Sequence, residues 1–111
     1  MNQQIVTFRE MFPHIKDGGL YMCEDCHTSY IPKYGGGLKG DSTFIEFAKV
    51  LIDDINAFYA GKDLPPNYGT FNIGALHFYD SIVVAEKKKL PLQPMGLRIG
   101  KTTTSHFKNV L

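Results

Sequence analysis

IGALHFYDSIVVAE, residues 73 to 86, decides the fold. Two runs rich in β-branched and aromatic residues, 73–79 and 82–86, flank the dipeptide Asp80-Ser81. So tight a joint between two strand-like runs predicts an antiparallel hairpin. Upstream, Phe44, Phe47, Ala48, Leu51, Ile52, Ile55, Phe58 and Tyr59 recur three and four residues apart, with Lys49, Asp53 and Asn56 on the opposite side. That spacing predicts an amphipathic helix over 43–60. Thr43 followed three residues later by Glu46 predicts a capping box, and Gly61 supplies the stop.

Further upstream, the apolar run from Leu20 to Glu24 predicts a strand buried on both faces, as in a parallel sheet. Asp17-Gly18-Gly19 before it is a turn, because glycine adopts positive φ without steric cost. Ile5, Phe8 and Phe12, with Met11 beside them, predict a short helix over 4–12 that Pro13 ends. Residues 26–41, with Pro32 and Gly35 to Gly37, read as a long loop, and 62–72 as a connection marked by Pro65-Pro66. The order is therefore helix, strand, long loop, long helix, strand, strand. A strand, a helix and a second strand follow the logic of an α/β sheet. Three strands make a thin sheet, so residues 1–90 read as the end of a larger α/β domain, followed by an irregular tail over 91–111.

Composition narrows the function. The chain has 111 residues, enough for one small domain, and its 43% hydrophobic content supports a core rather than disorder. A net charge of +1 leaves no electrostatic footprint for nucleic acid. Lys87-Lys88-Lys89 reads as a solvated strand end. No apolar run approaches the roughly 20 residues that a membrane span needs. The N-terminus lacks the basic and apolar regions of a signal peptide, so a cytoplasmic location is expected. Two cysteines in such a setting do not make a disulfide framework.

The stretch LYMCEDCHTSYIPKYGGG, residues 20 to 37, holds two rival sites. Cys23, Cys26 and His27 spell the C-x-x-C-H of c-type haem attachment, but that chemistry needs an exported, oxidising setting. Zinc would need further ligands beyond the C-x-x-C pair, and no second pair exists. In the bland reading Cys23 is a small core hydrophobe. The other site is the acidic pair Glu24-Asp25 at the end of the strand.

FREMFPHIKDGGLYMCEDCHTSYIPKYGGG, the helix after it, and GALHFYDSIVVAEKK together resemble the C-terminal half of class I S-adenosylmethionine-dependent methyltransferases. The resemblance points to the metal-dependent macrolide sugar O-methyltransferases and cephalosporin-hydroxylase-like proteins, over residues 5 to about 90. It implies a Rossmann-like sheet whose last two strands form a hairpin, the final one antiparallel. It also implies that Glu24 and Asp25 face a divalent ion, usually Mg2+, which orients a sugar or similar small-molecule hydroxyl acceptor. Ligands of such sheets bind beyond the carboxyl ends of the strands. Tyr30 and Tyr34 are candidates for stacking on the acceptor from a glycine-hinged lid, with tyrosines packed on the sheet as the alternative.

Several parts of the family's machinery have no counterpart in these residues. They are the glycine-rich loop for S-adenosylmethionine, the acidic ribose ligand, and the D-D-G-S-H-like segment with a third metal ligand and the general-base histidine. His27 is the remaining candidate base; His14 lies before the turn and His77 inside a strand. The chain alone is expected not to methylate. A complementary N-terminal half or a second copy is expected to cover the open sheet, and a purely associative role is the alternative reading.

Overall fold

In a computed structural model the protein is described over residues 2–90 and over two short strands beyond them. Helix α1 spans Asn2–Met11, and a single 3-10 turn at Phe12–His14 follows it. Strand β1 spans Leu20–Cys23, and 3-10 turns at Cys26–Tyr30 and Pro32–Tyr34 punctuate the long loop. Helix α2 spans Phe44–Ile55, and α3 spans Tyr68–Asn72. Strands β2, Ile73–Tyr79, and β3, Ile82–Lys87, form the expected hairpin. Strands β4, Leu97–Ile99, and β5, Thr102–Thr104, pair antiparallel within the segment expected to be irregular; the rest of that segment lies outside the described residues.

The sheet order is β1-β3-β2, and β3 runs antiparallel to both neighbours. Strands β1 and β2 therefore run in the same direction, and α2 carries the chain across between them. The βαβ logic holds with one change, the insertion of β3 between the two parallel strands. This is the α/β arrangement in which the last two strands form a hairpin and the final one is antiparallel.

One sheet face builds the core. Cys23, Val83, Ala85 and Ile73 pack with Ile5, Phe8 and Phe12 from the N-terminal helical segment and with Phe44, Ala48 and Leu51 of α2. Aromatic rings lock the helices together. Phe8 stacks on Phe12 at 4.9 Å and meets Tyr21 and Phe47 edge-on. Edge-to-face ring pairs add stabilisation beyond the area they bury.

The other face corrects the sequence reading of β1. Leu20 and Met22 are 61% and 56% exposed, so β1 is not buried on both faces among the described residues. The unbroken apolar run records two apolar faces, and the described residues cover one of them.

Three further corrections concern local chemistry. The helix expected to reach residue 60 ends at Ile55, with a 3-10 turn at Ala57–Tyr59 in place of its last turn. Thr43 does cap α2, accepting a hydrogen bond from the Glu46 backbone N–H, but the Glu46 carboxylate pairs with Lys49 at 2.9 Å. Lys87 is not a solvated strand end: it is 2% exposed. Its Nζ donates to the Tyr68 hydroxyl at 2.7 Å and lies over the Phe12 and Tyr68 rings at 4.9 and 5.2 Å. Desolvated cation–π contacts of this kind are worth about 2 kcal/mol.

Candidate metal and acceptor site

The chain leaves the carboxyl end of β1 through Glu24 and Asp25, both exposed. Asp25 holds φ +78° and ψ +35°, in the left-handed region. That conformation turns the backbone sharply away from the strand, and an L-residue adopts it at a steric cost. The turn is clamped from the opposite side by the β2–β3 hairpin. The Asp25 and Cys26 amides both donate to the Ser81 carbonyl, at 3.1 and 2.8 Å. The His27 amide donates to Ser81 Oγ at 3.3 Å, and His27 Nδ1 shares a 2.6 Å hydrogen bond with the same oxygen. Helix α1 adds a third brace, since Gln4 Nε2 donates to the Glu24 carbonyl at 3.1 Å.

The carboxylates therefore stand on a lip whose backbone is fixed from two sides. Ser81 is the residue that sequence reasoning missed. Its only signal was its place in the hairpin turn, where it takes φ +62°. His27 lies beside the lip, with Nδ1 engaged by Ser81 and Nε2 as its remaining ring nitrogen. His77 sits in β2 and pairs across the sheet with Glu86, on the face away from the core.

Tyr30 and Tyr34 follow on the two 3-10 turns and are 46% and 53% exposed. The glycines between them and α2 are not a loose hinge. Gly36 and Gly37 donate to the Ile31 and Ser29 carbonyls at 3.0 and 2.9 Å. A side chain at Gly36 would collide with the Thr28 and Ser29 backbone.

The donor set at the lip is two adjacent carboxylates. Among the described residues, no group of three His, Cys, Asp or Glu side chains is arranged to hold a metal ion. Two exposed, hard oxygen donors still fit Mg2+, which binds through one or two carboxylates and retains waters. Hollows in the surface lie elsewhere. One, about 380 Å³, is lined by Phe8, Phe12, Phe47, Leu51 and Asp54 between the helices, and another, about 520 Å³, lies over the uncovered sheet face; neither includes Glu24 or Asp25.

Behind the lip both cysteines are free thiols, 7% and 1% exposed at Cys23 and Cys26. Cys26 Sγ donates to the Cys23 carbonyl at 3.4 Å, and Cys23 Sγ to the Glu24 carbonyl at 3.8 Å. The neighbouring Cys26 side chain, and then burial, push the Cys23 thiol far above the usual range, while the Cys23 side chain holds Cys26 below it.

No protein-family model matches the chain. Individual proteins do. Over 89 residues the chain is 36% identical to 8-demethyl-8-alpha-L-rhamnosyl tetracenomycin-C 2'-O-methyltransferase of Streptomyces olivaceus, covering 76% of this chain and 23% of that one. Over 90 residues it is 46% identical to L-olivosyl-oleandolide 3-O-methyltransferase of Streptomyces antibioticus, with the same coverage. Its homologues are sugar O-methyltransferases. The match falls on the C-terminal part of these enzymes. The chain thus spans about a quarter of the length of the curated relatives it matches.

The structural comparison agrees. The MycE methyltransferase of the mycinamycin pathway, solved with Mg and SAH, superimposes with a TM-score of 0.68 at 33% identity, over 77% of this chain and 23% of that one. The same enzyme with Mg, SAH and mycinamycin VI gives 0.67 at 36% identity, over 77% and 22%. The sheet and helices thus match part of the MycE methyltransferase fold. No helix among the described residues is long and apolar enough to cross a membrane.

Proposed function

We propose that this chain supplies the metal-holding lip of a Mg2+-dependent sugar O-methyltransferase and does not methylate by itself. The observation that carries the reading is the braced left-handed turn presenting Glu24 and Asp25 at the carboxyl end of β1, in a domain whose solved neighbours hold Mg. Glu24 and Asp25 are the residues that would hold the ion. Bound there, Mg2+ would orient a sugar hydroxyl and lower its pKa. Ser81 and Gln4 keep the two carboxylates in register by fixing the backbone beneath them. His27 stands at the lip as a proton acceptor held through Nδ1. Tyr30 and Tyr34 offer aromatic faces to the sugar ring. S-adenosylmethionine is bound by the remainder of a complete enzyme, and the reaction belongs in the cytoplasm, where Cys23 and Cys26 stay reduced.

The test has two arms. Mn2+, read by electron paramagnetic resonance, should bind wild type weakly, and the double variant Glu24→Gln/Asp25→Asn should lose that binding. Equal binding by both would remove the metal assignment. In the second arm, the isolated chain with S-adenosylmethionine and a panel of glycosylated acceptors should show no turnover. Methylation at the rate of a full-length relative would refute the inactivity.

The uncovered sheet face supports a second reading, an association role. Leu20, Met22, Tyr79 and Ile82 share that face, and β1 pairs with β3 on one side only among the described residues. A second copy or a complementary N-terminal half of the enzyme would cover it.

A further inference from the structure

The hollow of about 380 Å³ between α1, α2 and α3 is built from aromatic rings and two opposite charges. Phe8, Phe12, Phe47 and Tyr68 supply the rings. Tyr68 is 47% exposed yet held in place, since Lys87 Nζ donates to its hydroxyl at 2.7 Å. Arg9 and Asp54 supply the charges. Both also border a second hollow of about 550 Å³, which shares Phe47 and Leu51 with the first, so they stand at the seam between the two. Among the described residues neither enters an ion pair; the pairs there are Lys49–Glu46 and His77–Glu86. Arg9 lays its guanidinium over the Phe47 ring, 5.1 Å from the centroid. Stacking uses the flat face of the group and leaves its edge donors, whose fork matches a carboxylate. Asp54 is half-buried and oriented. Asn67 Nδ2 donates to its Oδ1 at 3.2 Å, which leaves Oδ2 as the open acceptor. Gly69 lets α3 come this close, because a Cβ there would lie 2.9 Å from Asp54 Cβ.

A lone ammonium in this hollow would face Arg9, and a lone carboxylate would face Asp54. A ligand that carries both charges satisfies both walls, and an aromatic tail fills the remainder. Apolar walls with a few placed polar groups, enclosing roughly 300–1,000 Å³, are the usual make-up of a small-molecule site. We propose that this hollow binds a free aromatic α-amino acid, with its carboxylate on Arg9, its ammonium on Asp54 and its ring against Phe47 and Tyr68. Charge-assisted hydrogen bonds fix the head group, and ring contacts hold the tail. None of these residues belongs to the metal and acceptor site, so the assignment stands or falls independently of that reading.

The experiment titrates the isotope-labelled full chain with L-phenylalanine, phenethylamine and hydrocinnamate and follows the backbone amide signals by magnetic resonance. L-Phenylalanine should shift the Arg9 and Gly69 amides saturably. Phenethylamine lacks the carboxylate and hydrocinnamate lacks the ammonium, so each should bind about tenfold more weakly, the cost of one charged hydrogen bond. Arg9→Gln should abolish the preference over phenethylamine and keep that over hydrocinnamate, and Asp54→Asn should do the reverse. Arg9 is exposed, so its variant is expected to fold, and the comparison of the three ligands on wild type needs no variant. Equal affinity for all three compounds would make the hollow an apolar cleft without charge recognition and overturn the proposal. So would the absence of saturable shifts up to the solubility limit of L-phenylalanine, or an Arg9→Gln chain that keeps the full preference over phenethylamine.

Discussion

At the scale of single residues, Asp25 separates structural cost from chemical use. Its left-handed backbone suits glycine better than any residue with a Cβ. Asp25→Gly relieves that strain but gives the unfolded chain more freedom, two effects of about 1 kcal/mol each and opposite sign. The melting midpoint should therefore hold or rise, while Mn2+ binding should fall; a lower midpoint would mean that the carboxylate serves the fold. Asp54 makes a prediction about pH. Burial between α2 and α3 raises its carboxyl above the ordinary 3.8, against the hydrogen bond it accepts from Asn67. A raised folded value means that the folded chain holds this proton longer than the unfolded one. The contribution is fully present below 3.8 and is lost as pH rises through the higher folded value. Urea midpoints for Asp54→Asn should not show this decline, so the gap between variant and wild type should close as the solution is acidified. A gap independent of pH would assign the effect to hydrogen bonding.

At the scale of elements, how plainly each piece could be read follows from how local its signal is. The β2–β3 hairpin and α2 were legible because their periodicities are internal to them. Helix α3 was not, since five residues carry no period; it exists because Asn67 and Thr70 cap it reciprocally and Thr70 Oγ1 donates to the Asp54 carbonyl at 2.5 Å. The acidic pair was legible as a strand exit, whereas its clamp at Ser81 was not, because those bonds join residues 54 or more apart in the chain. Lys87 misled for the same reason: a triple lysine looks solvated until Phe12 and Tyr68 arrive from distant segments to enclose its first member. Lys87→Ala should cost about 3 kcal/mol in denaturant unfolding, from the emptied volume together with the lost ring and hydroxyl contacts. Thr43→Ala should cost about 1 kcal/mol, the usual value of an N-cap. Were Lys87→Ala no more damaging than Thr43→Ala, the aromatic enclosure would be incidental.

At the scale of the whole molecule, the sheet is asymmetric. Its core face is sealed by α1 and α2, while Leu20, Met22 and Tyr79 on the other face are 61%, 56% and 63% exposed. Among the described residues, the His77–Glu86 pair is the polar relief on that face near its centre. Apolar surface of this kind is stabilised by any partner that removes it from water, at roughly 25 cal/mol per Å² buried. A neighbouring β1 edge adds unpaired backbone groups, which favour strand addition over loose contact. The isolated chain should therefore show a mass that rises with concentration in sedimentation equilibrium. Met22→Lys sets a charge in the middle of the exposed face, opposite Val84, without touching the packed side. It should shift the distribution to monomer while leaving the thermal midpoint of the dilute protein unchanged. Wild type that stays monomeric across the whole concentration range would sink the association reading, and with it the idea that this face needs a cover. Loss of folding in Met22→Lys would instead mean that the face contributes to the stability of the single chain, and Leu20→Lys, at the sheet margin, would then carry the same comparison.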